Sequence, residues 1–301
     1  MTARACLIAN PAAGRGLGAR LIPGVADAFA RHGITDVRLT VAPGDEARQV
    51  HAALDAGYDT IAVLGGDGTW SKAAAAVARA GSPARLAFVA AGTGNDFVKN
   101  LPEPSRDPDA MARLVAGAQN GADEWRVDMA AVDDELFLNV AGFAFDVAVL
   151  ARVERTRWLG GTAVYAYAAL RELLFYAGLD AALDGGPRER LLLLAFANGA
   201  HFGGAFHVAP GARVDDGLLD AVVIPDIGRL ARPALLARAA RGTHVTHPRV
   251  AVRRAAAFTL AFAQPPLYEA DGELRRASAP EVRVEIRPGV LRVLVPRAPG
   301  T

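Results

Sequence analysis

The chain has 301 residues, 52% hydrophobic and 22% charged, which is ordinary for a globular protein and long enough to favour two domains. Its net charge of +1 excludes a nucleic-acid binder that relies on bulk positive charge. Cys6 is the single cysteine, which excludes an intrachain disulfide or a cysteine metal cluster.

The same features favour a cytoplasmic protein, since a lone cysteine suits a reducing compartment. No charged head followed by a long apolar run opens the chain, so no signal peptide is predicted. Residues 163–179 form the best apolar stretch, but Arg171 and Glu172 interrupt it and a transmembrane helix needs about 20 apolar residues. Any membrane contact is therefore expected to be peripheral, on the inner face.

The first part of the chain alternates apolar strands with helical segments. Strands are predicted at residues 5–9, 37–41, 61–64 and 86–90, and helices at residues 21–32, 45–56, 71–80 and 109–117. Strands that are each followed by a helix indicate a parallel sheet with crossover helices. Three of the strand exits are rich in glycine, and such exits converge on one edge of a sheet.

The second part is rich in short strands instead. These are predicted at residues 127–132, 136–140, 191–197, 205–208, 218–224, 257–262, 282–286 and 291–295, with helices at residues 161–178 and 229–242. We therefore predict a two-domain fold. Residues 1–124 form an α/β nucleotide-binding domain with a mainly parallel sheet, and residues 125–301 form a β-sandwich acceptor domain whose last few residues return to the first.

A glycine-rich turn links the strand at residues 61–64 to the next helix, with the sequence Gly65-Gly66-Asp67-Gly68-Thr69. Glycines let backbone N–H groups approach a bulky anion, and the following helix adds its positive N-terminal end, so a phosphate chain fits this turn. Asp67 would repel phosphate unless a divalent cation lies between them or the carboxylate orients a hydroxyl. The alternative is a tight turn that uses glycine only for its backbone freedom.

Five motifs together resemble the diacylglycerol kinase catalytic family, which includes bacterial soluble lipid kinases and sphingosine and ceramide kinases. They are Asn10-Pro11-Ala12-Ala13-Gly14, Gly65-Gly66-Asp67-Gly68-Thr69, Gly92-Thr93-Gly94-Asn95-Asp96-Phe97, residues 210–219 and Asp271-Gly272-Glu273. NAD kinases and phosphofructokinases share the second motif, but the third is similar to the lipid kinases. The family implies a kinase fold like that of NAD kinase and diacylglycerol kinase.

The resemblance implies ligand sites in both domains. ATP would be held by Asn10, Pro11, Ala12, Ala13, Gly14, Thr40, Gly65, Gly66, Asp67, Gly68, Thr69, Trp70, Ser71 and Thr93. A structural Mg²⁺ would be bound by the carboxylate of Asp216 and the carbonyl groups of Arg213 and Leu218, although the same residues also suit an ordinary turn. Family members often carry an Asn-Glu pair where this chain has Ser71 and Lys72, so the acceptor subgroup stays open.

The family places its general base in the Asp271-Gly272-Glu273 segment. A lipid hydroxyl that attacks the γ-phosphate needs a carboxylate within hydrogen-bond reach. Asp271 is the first choice and Glu273 the second, because spacing does not decide between them, and a polar turn is the alternative. The predicted reaction is transfer of the ATP γ-phosphate to a lipid, with diacylglycerol foremost. A kinase of a soluble acceptor such as NAD and a non-catalytic nucleotide-binding protein are the rivals.

Two features of the second domain bear on a lipid partner. An apolar helical stripe, preceded by Trp158, suits either a lipid or the core and comprises Ala163, Val164, Tyr167, Leu170, Leu174 and Phe175. Between residues 227 and 268 there are seven arginines and no acidic residue. They could face anionic lipid at a membrane surface or pair with acids elsewhere in the fold. The sequence leaves open whether the protein forms a homodimer.

Overall fold

The computed structural model describes residues 4–102, 105–120, 123–156, 163–204 and 206–296. The chain divides into two compact units. The N-terminal unit comprises Met1–Met129, Val214–Asp216 and Pro288–Thr301, and the C-terminal unit comprises Ala130–Arg213 and Gly217–Arg287. Trp158 lies outside the described residues. None of the helices within these ranges is both long enough and apolar enough to cross a membrane.

The N-terminal unit alternates strands and helices, as predicted. Its elements are β1 (Ala5–Ala9), α1 (Ala13–Arg31), β2 (Val37–Leu39), α2 (Asp45–Asp55), β3 (Thr60–Gly65), α3 (Asp67–Arg79), β4 (Arg85–Ala90) and α4 (Pro108–Ala116). Short 3₁₀ helices follow at Phe97–Asn100 and Gly117–Asn120. The strands are parallel in the order β2-β1-β3-β4. All six residues of β3 are buried, as expected of a parallel strand that is covered on both faces.

Two helices of this unit begin several residues earlier than predicted. α3 starts at Asp67, so the glycine-rich motif forms the end of β3 and the first turn of the helix. Gly66, just before the helix, has an extended backbone. Asp67 is an acidic residue in the first turn, where it interacts favourably with the positive end of the helix. α1 starts at Ala13, but Gly14, Arg15 and Gly16 have positive φ angles and interrupt its first turns.

The C-terminal unit is mainly antiparallel. The remaining elements are β5 (Asp123–Val132), β6 (Glu135–Phe137), β7 (Val140–Gly142), α5 (Phe145–Arg155), α6 (Ala163–Phe175), β8 (Leu179–Leu183), β9 (Glu189–Ala197), β10 (Leu219–Pro225), α7 (Arg232–Ala240), β11 (Ala251–Ala255), β12 (Ala257–Phe262), β13 (Leu267–Ala270), β14 (Glu273–Arg276) and β15 (Glu281–Val295), with a 3₁₀ helix at His244–Thr246. Its strands follow the order β14-β13-β7-β9-β8-β12-β15, and β10 pairs with β9 and β11.

Aromatic side chains fill the core of this unit. Phe143 packs against Phe196, Phe262 and Tyr268 with ring centroids 5.5–5.9 Å apart. Phe196 also contacts Phe258. Pairs of aromatic rings at such distances add to the stabilisation from burial alone. The first part of β5 and the last part of β15 belong to the N-terminal unit, where Arg292 and Val293 of β15 pair in parallel with β4.

Several strand predictions for this unit are wrong in detail. Residues 206–208 form no strand, and Phe206 makes only an isolated bridge with Phe202. The two strands predicted at residues 282–286 and 291–295 are one continuous strand, β15. The strand predicted at residues 136–140 is broken into β6 and β7, because the Asp271 carboxylate accepts hydrogen bonds from the backbone N–H groups of residues 138–140.

Candidate active site

The glycine loops that follow β1, β3 and β4 pack directly against one another. A Cβ atom on Gly14 would collide with the carbonyl oxygen of Ala91, and one on Gly66 would lie 2.9 Å from Cα of Gly92. The N–H of Ala91 donates to the carbonyl oxygen of Gly65 at 2.7 Å. Only glycine fits at Gly14 and Gly66, since any side chain would push the loops apart. The three exits therefore converge at the carboxyl end of the parallel strands, where α/β proteins bind ligands.

The side chain of Asn10 holds three segments of this region together. Its Nδ2 donates to Oγ1 of Thr69 at 2.9 Å and to Oε1 of Glu46 at 3.2 Å, and its Oδ1 accepts from the N–H of Ala12 at 2.9 Å. An amide nitrogen carries two hydrogens, so both donors of Asn10 are used within the chain. Asn10 was predicted to contact ATP, and in this arrangement its side chain orients Thr69.

The Thr69 hydroxyl is left with a hydrogen to donate. Thr69 lies in the first turn of α3 and is 6% exposed, and its Oγ1 accepts the bond from Asn10. Within the described ranges its own proton faces no acceptor. A hydroxyl that accepts one hydrogen bond in a fixed geometry directs its proton elsewhere, and a phosphate oxygen is a suitable acceptor.

Glu46 is a member of this cluster that the sequence analysis missed. It is 3% exposed in the first turn of α2, and its Oε2 accepts from the N–H of Gly44 at 3.0 Å while Oε1 accepts from Asn10. Its only sequence signal is an acid at a helix start, which usually means an interaction with the helix dipole. Thr40, predicted to bind ATP, is buried nearby in the chain, and its N–H donates to the carbonyl oxygen of Ala9.

Asp67 and Asn95 fix the loop after β4. Oδ1 of Asp67 accepts from the N–H of Phe97 at 3.0 Å, which joins the start of α3 to this loop. Asn95, with φ of 49°, bonds through its amide to both the N–H and the carbonyl oxygen of Gly92 at 2.9 Å. Thr93 is exposed between them. A Cβ atom on Gly68 would meet nothing within 4 Å, so this face of the helix start is open.

Two of the predicted ATP residues lie in the core. Trp70 has 0% exposure, and its indole Nε1 donates to the carbonyl oxygen of Val63 at 3.1 Å. Its ring packs against Phe88 at 5.6 Å. Ser71 is buried as well. The Trp70 side chain therefore anchors α3 beneath the loop. If Trp70 takes part in nucleotide binding, as predicted, it does so through its backbone.

Asp271 occupies the turn of the β13–β14 hairpin together with Gly272. Both residues have positive φ angles, 48° and 84°, which is the geometry that an Asp-Gly pair favours in a two-residue hairpin turn. The carboxylate accepts three backbone N–H groups, from Leu138 at 2.6 Å, Asn139 at 2.9 Å and Val140 at 3.2 Å. These bonds fix the orientation of the carboxylate, whose ionised form is the one that accepts a proton.

Glu273, the second candidate for the base, lies at the start of β14. Its Oε2 accepts from Nη2 of Arg275 at 2.5 Å, and Arg275 also bonds to Glu135 at 3.4 Å. All three side chains are partly exposed, so this ion-pair network contributes little to stability. The ion pair with Arg275 would have to open before this carboxylate could accept a proton from an acceptor.

The loop predicted to bind Mg²⁺ offers oxygen donors but has no further acid cluster. Oδ2 of Asp215 accepts from the indole Nε1 of Trp125 at 2.9 Å, and Gly217 has a φ of 70°. In the described part of the chain no group of three or more His, Cys, Asp or Glu side chains could hold a metal ion. A carboxylate with two carbonyl groups is a different donor set and suits a hard cation. The assignment of Asp216, Arg213 and Leu218 stays a prediction.

The apolar stripe of α6 is largely exposed. Val164 is buried, whereas Tyr167, Leu170, Leu174 and Phe175 are exposed, and the Arg171 guanidinium lies over the Phe175 ring at 5.6 Å.

The arginine-rich segment at residues 227–268 contains both arginines that pair with acids and arginines that face solvent. Arg232 is buried and pairs with Asp226 at 2.7 Å, and Arg254 pairs with Asp220 at 3.3 Å, whereas Arg253 is exposed.

Two family models match the two parts of the chain. Residues 4–127 match the diacylglycerol kinase catalytic domain, and residues 139–295 match the YegS C-terminal NAD kinase beta sandwich-like domain. A crystal structure of a diacylglycerol kinase from Bacillus anthracis str. Sterne superposes with a TM-score of 0.71 over 97% of this chain and 96% of its own, at 20% identity. At that identity the likeness shows the fold, and it confirms the two-domain prediction.

Relatives of known name are similar over different lengths. "Diacylglycerol kinase" of Mycobacterium tuberculosis (strain CDC 1551 / Oshkosh) is 30% identical over 302 residues, which cover 96% of this chain and 94% of that protein. "Probable lipid kinase YegS-like" of Pseudomonas aeruginosa (strain UCBPP-PA14) is 37% identical over 193 residues, 63% of this chain and 62% of that protein. The match thus spans less than two thirds of the Pseudomonas relative. The chain belongs to the diacylglycerol kinase catalytic-domain family, with a YegS-type β-sandwich as its second domain.

Proposed function

We propose that the protein is an ATP-dependent lipid kinase that transfers the γ-phosphoryl group to a lipid hydroxyl, with diacylglycerol as the first candidate. The observation that carries this proposal is the Thr69 hydroxyl, which Asn10 orients by a hydrogen bond among three glycine loops that pack against one another. Family membership and the names of the relatives support the same reaction. The protein would act as a cytoplasmic enzyme that meets its substrate at the inner face of the membrane.

The glycine loops would bind the phosphate chain of ATP. The first N–H groups of α3 have no partner within the helix, so the N–H of Gly68 would face a phosphate oxygen, and the helix dipole favours negative charge there. The Thr69 hydroxyl would add a further donor. Mg²⁺, which would offset phosphate charge when bound, suits the carboxylate of Asp67, and a separate structural Mg²⁺ would suit that of Asp216, because this cation prefers oxygen ligands.

Asp271 would serve the acceptor. As the bond between the bridging oxygen and the γ-phosphorus breaks, a bond forms from the lipid oxygen to that phosphorus, and the hydroxyl proton passes to the carboxylate. The products are ADP and a phosphorylated lipid. The three amide bonds hold the Asp271 carboxylate in one orientation, and a loose transition state needs little proton removal before the phosphoryl group moves.

The exposed face of α6 would contact the membrane that holds the acceptor. Tyr167, Leu170, Leu174 and Phe175 form this face together with Arg171. The one acid of the helix, Glu172, is buried and pairs with Arg152 and Arg171, so no acidic side chain opposes an anionic surface there. An apolar face with a cation at its edge is typical of helices that lie in a membrane interface.

An acceptor panel tests the proposal. ADP release would be followed with ATP and Mg²⁺ in four parallel reactions, which contain detergent micelles alone, micelles with diacylglycerol, micelles with phosphatidylglycerol, or NAD. We expect release only with a lipid acceptor and most with diacylglycerol. Release with NAD would favour a kinase of a soluble acceptor, and ATP binding without release in any reaction would favour a non-catalytic nucleotide-binding protein.

A further inference from the structure

A carboxyl group is buried directly behind the turn that carries Asp271. Glu269, on β13, has 0% exposure, and its Oε2 accepts from the N–H of Gly272 at 2.8 Å. Its other oxygen, Oε1, is buried with no N–H or O–H donor facing it. A buried carboxylate oxygen without a donor is costly, so this oxygen must carry or share a proton.

The group that can share this proton is Asp146, in the first turn of α5. Glu269 pairs across the sheet with Gly142, and the Asp146 carboxyl occupies the space that a side chain at Gly142 would fill. Oδ1 of Asp146 accepts from the N–H of Ala144 at 3.1 Å. A proton on one of these two carboxyl groups could be donated to the other, whereas two ionised carboxylates have no hydrogen to share.

The electrostatics agree with a shared proton. Burial, followed by the charge of Asp146, raises the pKa of Glu269 well above its usual value, and burial raises the pKa of Asp146 to about 6. The titratable groups that face the pair are Asp271 from the turn and Tyr176 beyond α6. Neither is a cation at neutral pH, so loss of the shared proton would leave like charges side by side.

We propose that Asp146 and Glu269 hold one proton between them and together position the Asp271–Gly272 turn. Glu269 contacts the turn through the N–H of Gly272, and the Asp146 carboxyl lies at Gly142, the strand partner of Glu269, so both act through Asp271 and are positioning residues. When the last proton leaves, the two carboxylates repel each other and the turn loses its support. This inference rests on the proposed role of Asp271 in the kinase reaction, but the proton-sharing pair can be tested without it.

The expected pH dependence follows from the direction of the shift. A raised pKa means that the native state holds more protons than the unfolded chain, so stability is greatest in acid. It is lost as the pH rises from the ordinary Glu value of 4.5 through the folded pKa of the pair. The turnover number should fall over the same range, by up to about tenfold per pH unit above the last ionisation of the pair.

The test compares wild type with Glu269→Gln and Asp146→Asn, in which an amide N–H replaces the shared proton. The matched control is Glu154→Gln, an exposed acid on α5. Melting temperature would be measured from about pH 5 to about pH 8, together with kcat and KM for ATP. We expect melting temperature and kcat to fall with pH in wild type and Glu154→Gln, to be nearly flat in the two amide variants, and KM for ATP to stay constant throughout.

Three outcomes would overturn the inference. Amide variants whose melting temperature depends on pH as in wild type would show that no shared proton titrates. Amide variants that fail to fold at any pH would show that a neutral hydrogen-bonded pair does not replace the native one. A flat melting temperature together with a wild-type pH profile of kcat would leave the pair without a positioning role. If no lipid is phosphorylated, the proposed function fails, and the melting comparison still decides whether the proton is shared.

Discussion

Replacing Asp271 by Asn should reduce both stability and turnover, because the carboxylate accepts three backbone N–H groups. An amide has one oxygen and one NH₂ group. In its better orientation the oxygen keeps Asn139 and Val140, and the NH₂ group then faces the N–H of Leu138, whose bond is the shortest at 2.6 Å. Losing one hydrogen bond to a charged acceptor costs about 1.5–3 kcal/mol. For a unit of this size that lowers the melting temperature by roughly 3–12 °C.

Turnover should fall further than this loss of stability explains. Below its melting temperature, folded Asp271→Asn protein cannot accept the proton of the lipid hydroxyl, and removal of a general base typically lowers the rate by about 10²–10⁴-fold. The assay measures kcat with ATP and diacylglycerol micelles, calorimetric ATP affinity and thermal melting on the same samples. ATP affinity should be unchanged, because the glycine loops lie in the other unit.

Glu273→Gln is the matched control, since Glu273 lies two residues away in a partly exposed ion pair with Arg275. Its free energy of unfolding should lie within about 1 kcal/mol of the wild-type value, and it should keep most of its turnover. If Asp271→Asn had the same melting temperature as wild type, the stabilising role of the three amide bonds would be contradicted. Near-normal turnover in Asp271→Asn, together with its loss in Glu273→Gln, would assign the base to Glu273 instead.

Three further predictions concern the two units. Gly68→Val should fold, because a Cβ atom at this position meets no protein atom within 4 Å, yet it should lose ATP affinity by calorimetry. Gly24→Val, at a glycine in α1 that is equally open, should keep this affinity, and equal ATP affinity in both variants would remove Gly68 from the phosphate site. Asp216→Ala should abolish the rise in melting temperature with Mg²⁺ that wild type shows, and identical Mg²⁺ titrations would leave this loop as a turn. Arg253→Glu should weaken binding to anionic liposomes at about 0.1 M salt and have little effect at about 1 M. If neither the substitution nor the salt concentration changes liposome binding, Arg253 has no role in membrane contact. The variant avoids Arg254, whose pairing with the buried Asp220 would confound the result.

Apolar runs and glycine exits made the N-terminal unit predictable. The strand at Ala5–Ala9 has the bounds that its apolar run indicates, and so does β12 at Ala257–Phe262 in the other unit. β11 was not predicted, because all but the last of its five residues are exposed and it carries no alternating pattern. A strand that pairs with β10 and keeps most of its side chains exposed leaves little trace in the sequence.

The start of α3 was predicted four residues late for a related reason. The three glycines in its motif have low helix propensity, which argues for a loop. The structure extends the helix to Asp67, because the Trp70 indole is buried and bonds to Val63. Tertiary packing thus overrides local propensity, and Gly68 and Thr69 gain fixed positions on a helix end.

The polar contacts of the site lie beyond sequence reasoning for a different reason. The Asp271 carboxylate bonds to residues 131 to 133 positions away in the chain, and Asn10 meets Glu46 and Thr69 across 36 and 59 positions. Such contacts depend on strand register. A single step of register between β7 and β13 would move Glu269 away from Gly142 and Asp146, so residue types alone do not reveal the pair.

The central claim is transfer of the γ-phosphoryl group of ATP to a lipid hydroxyl, and isotopic labelling tests it most directly. The protein would be incubated with γ-³²P-labelled ATP, Mg²⁺ and diacylglycerol micelles, and the label that extracts into chloroform would be counted. Wild type should move label into the organic phase, and Gly68→Val should not. Label that stays with ATP, or appears as inorganic phosphate in wild-type reactions that bind ATP normally, would contradict the lipid kinase account.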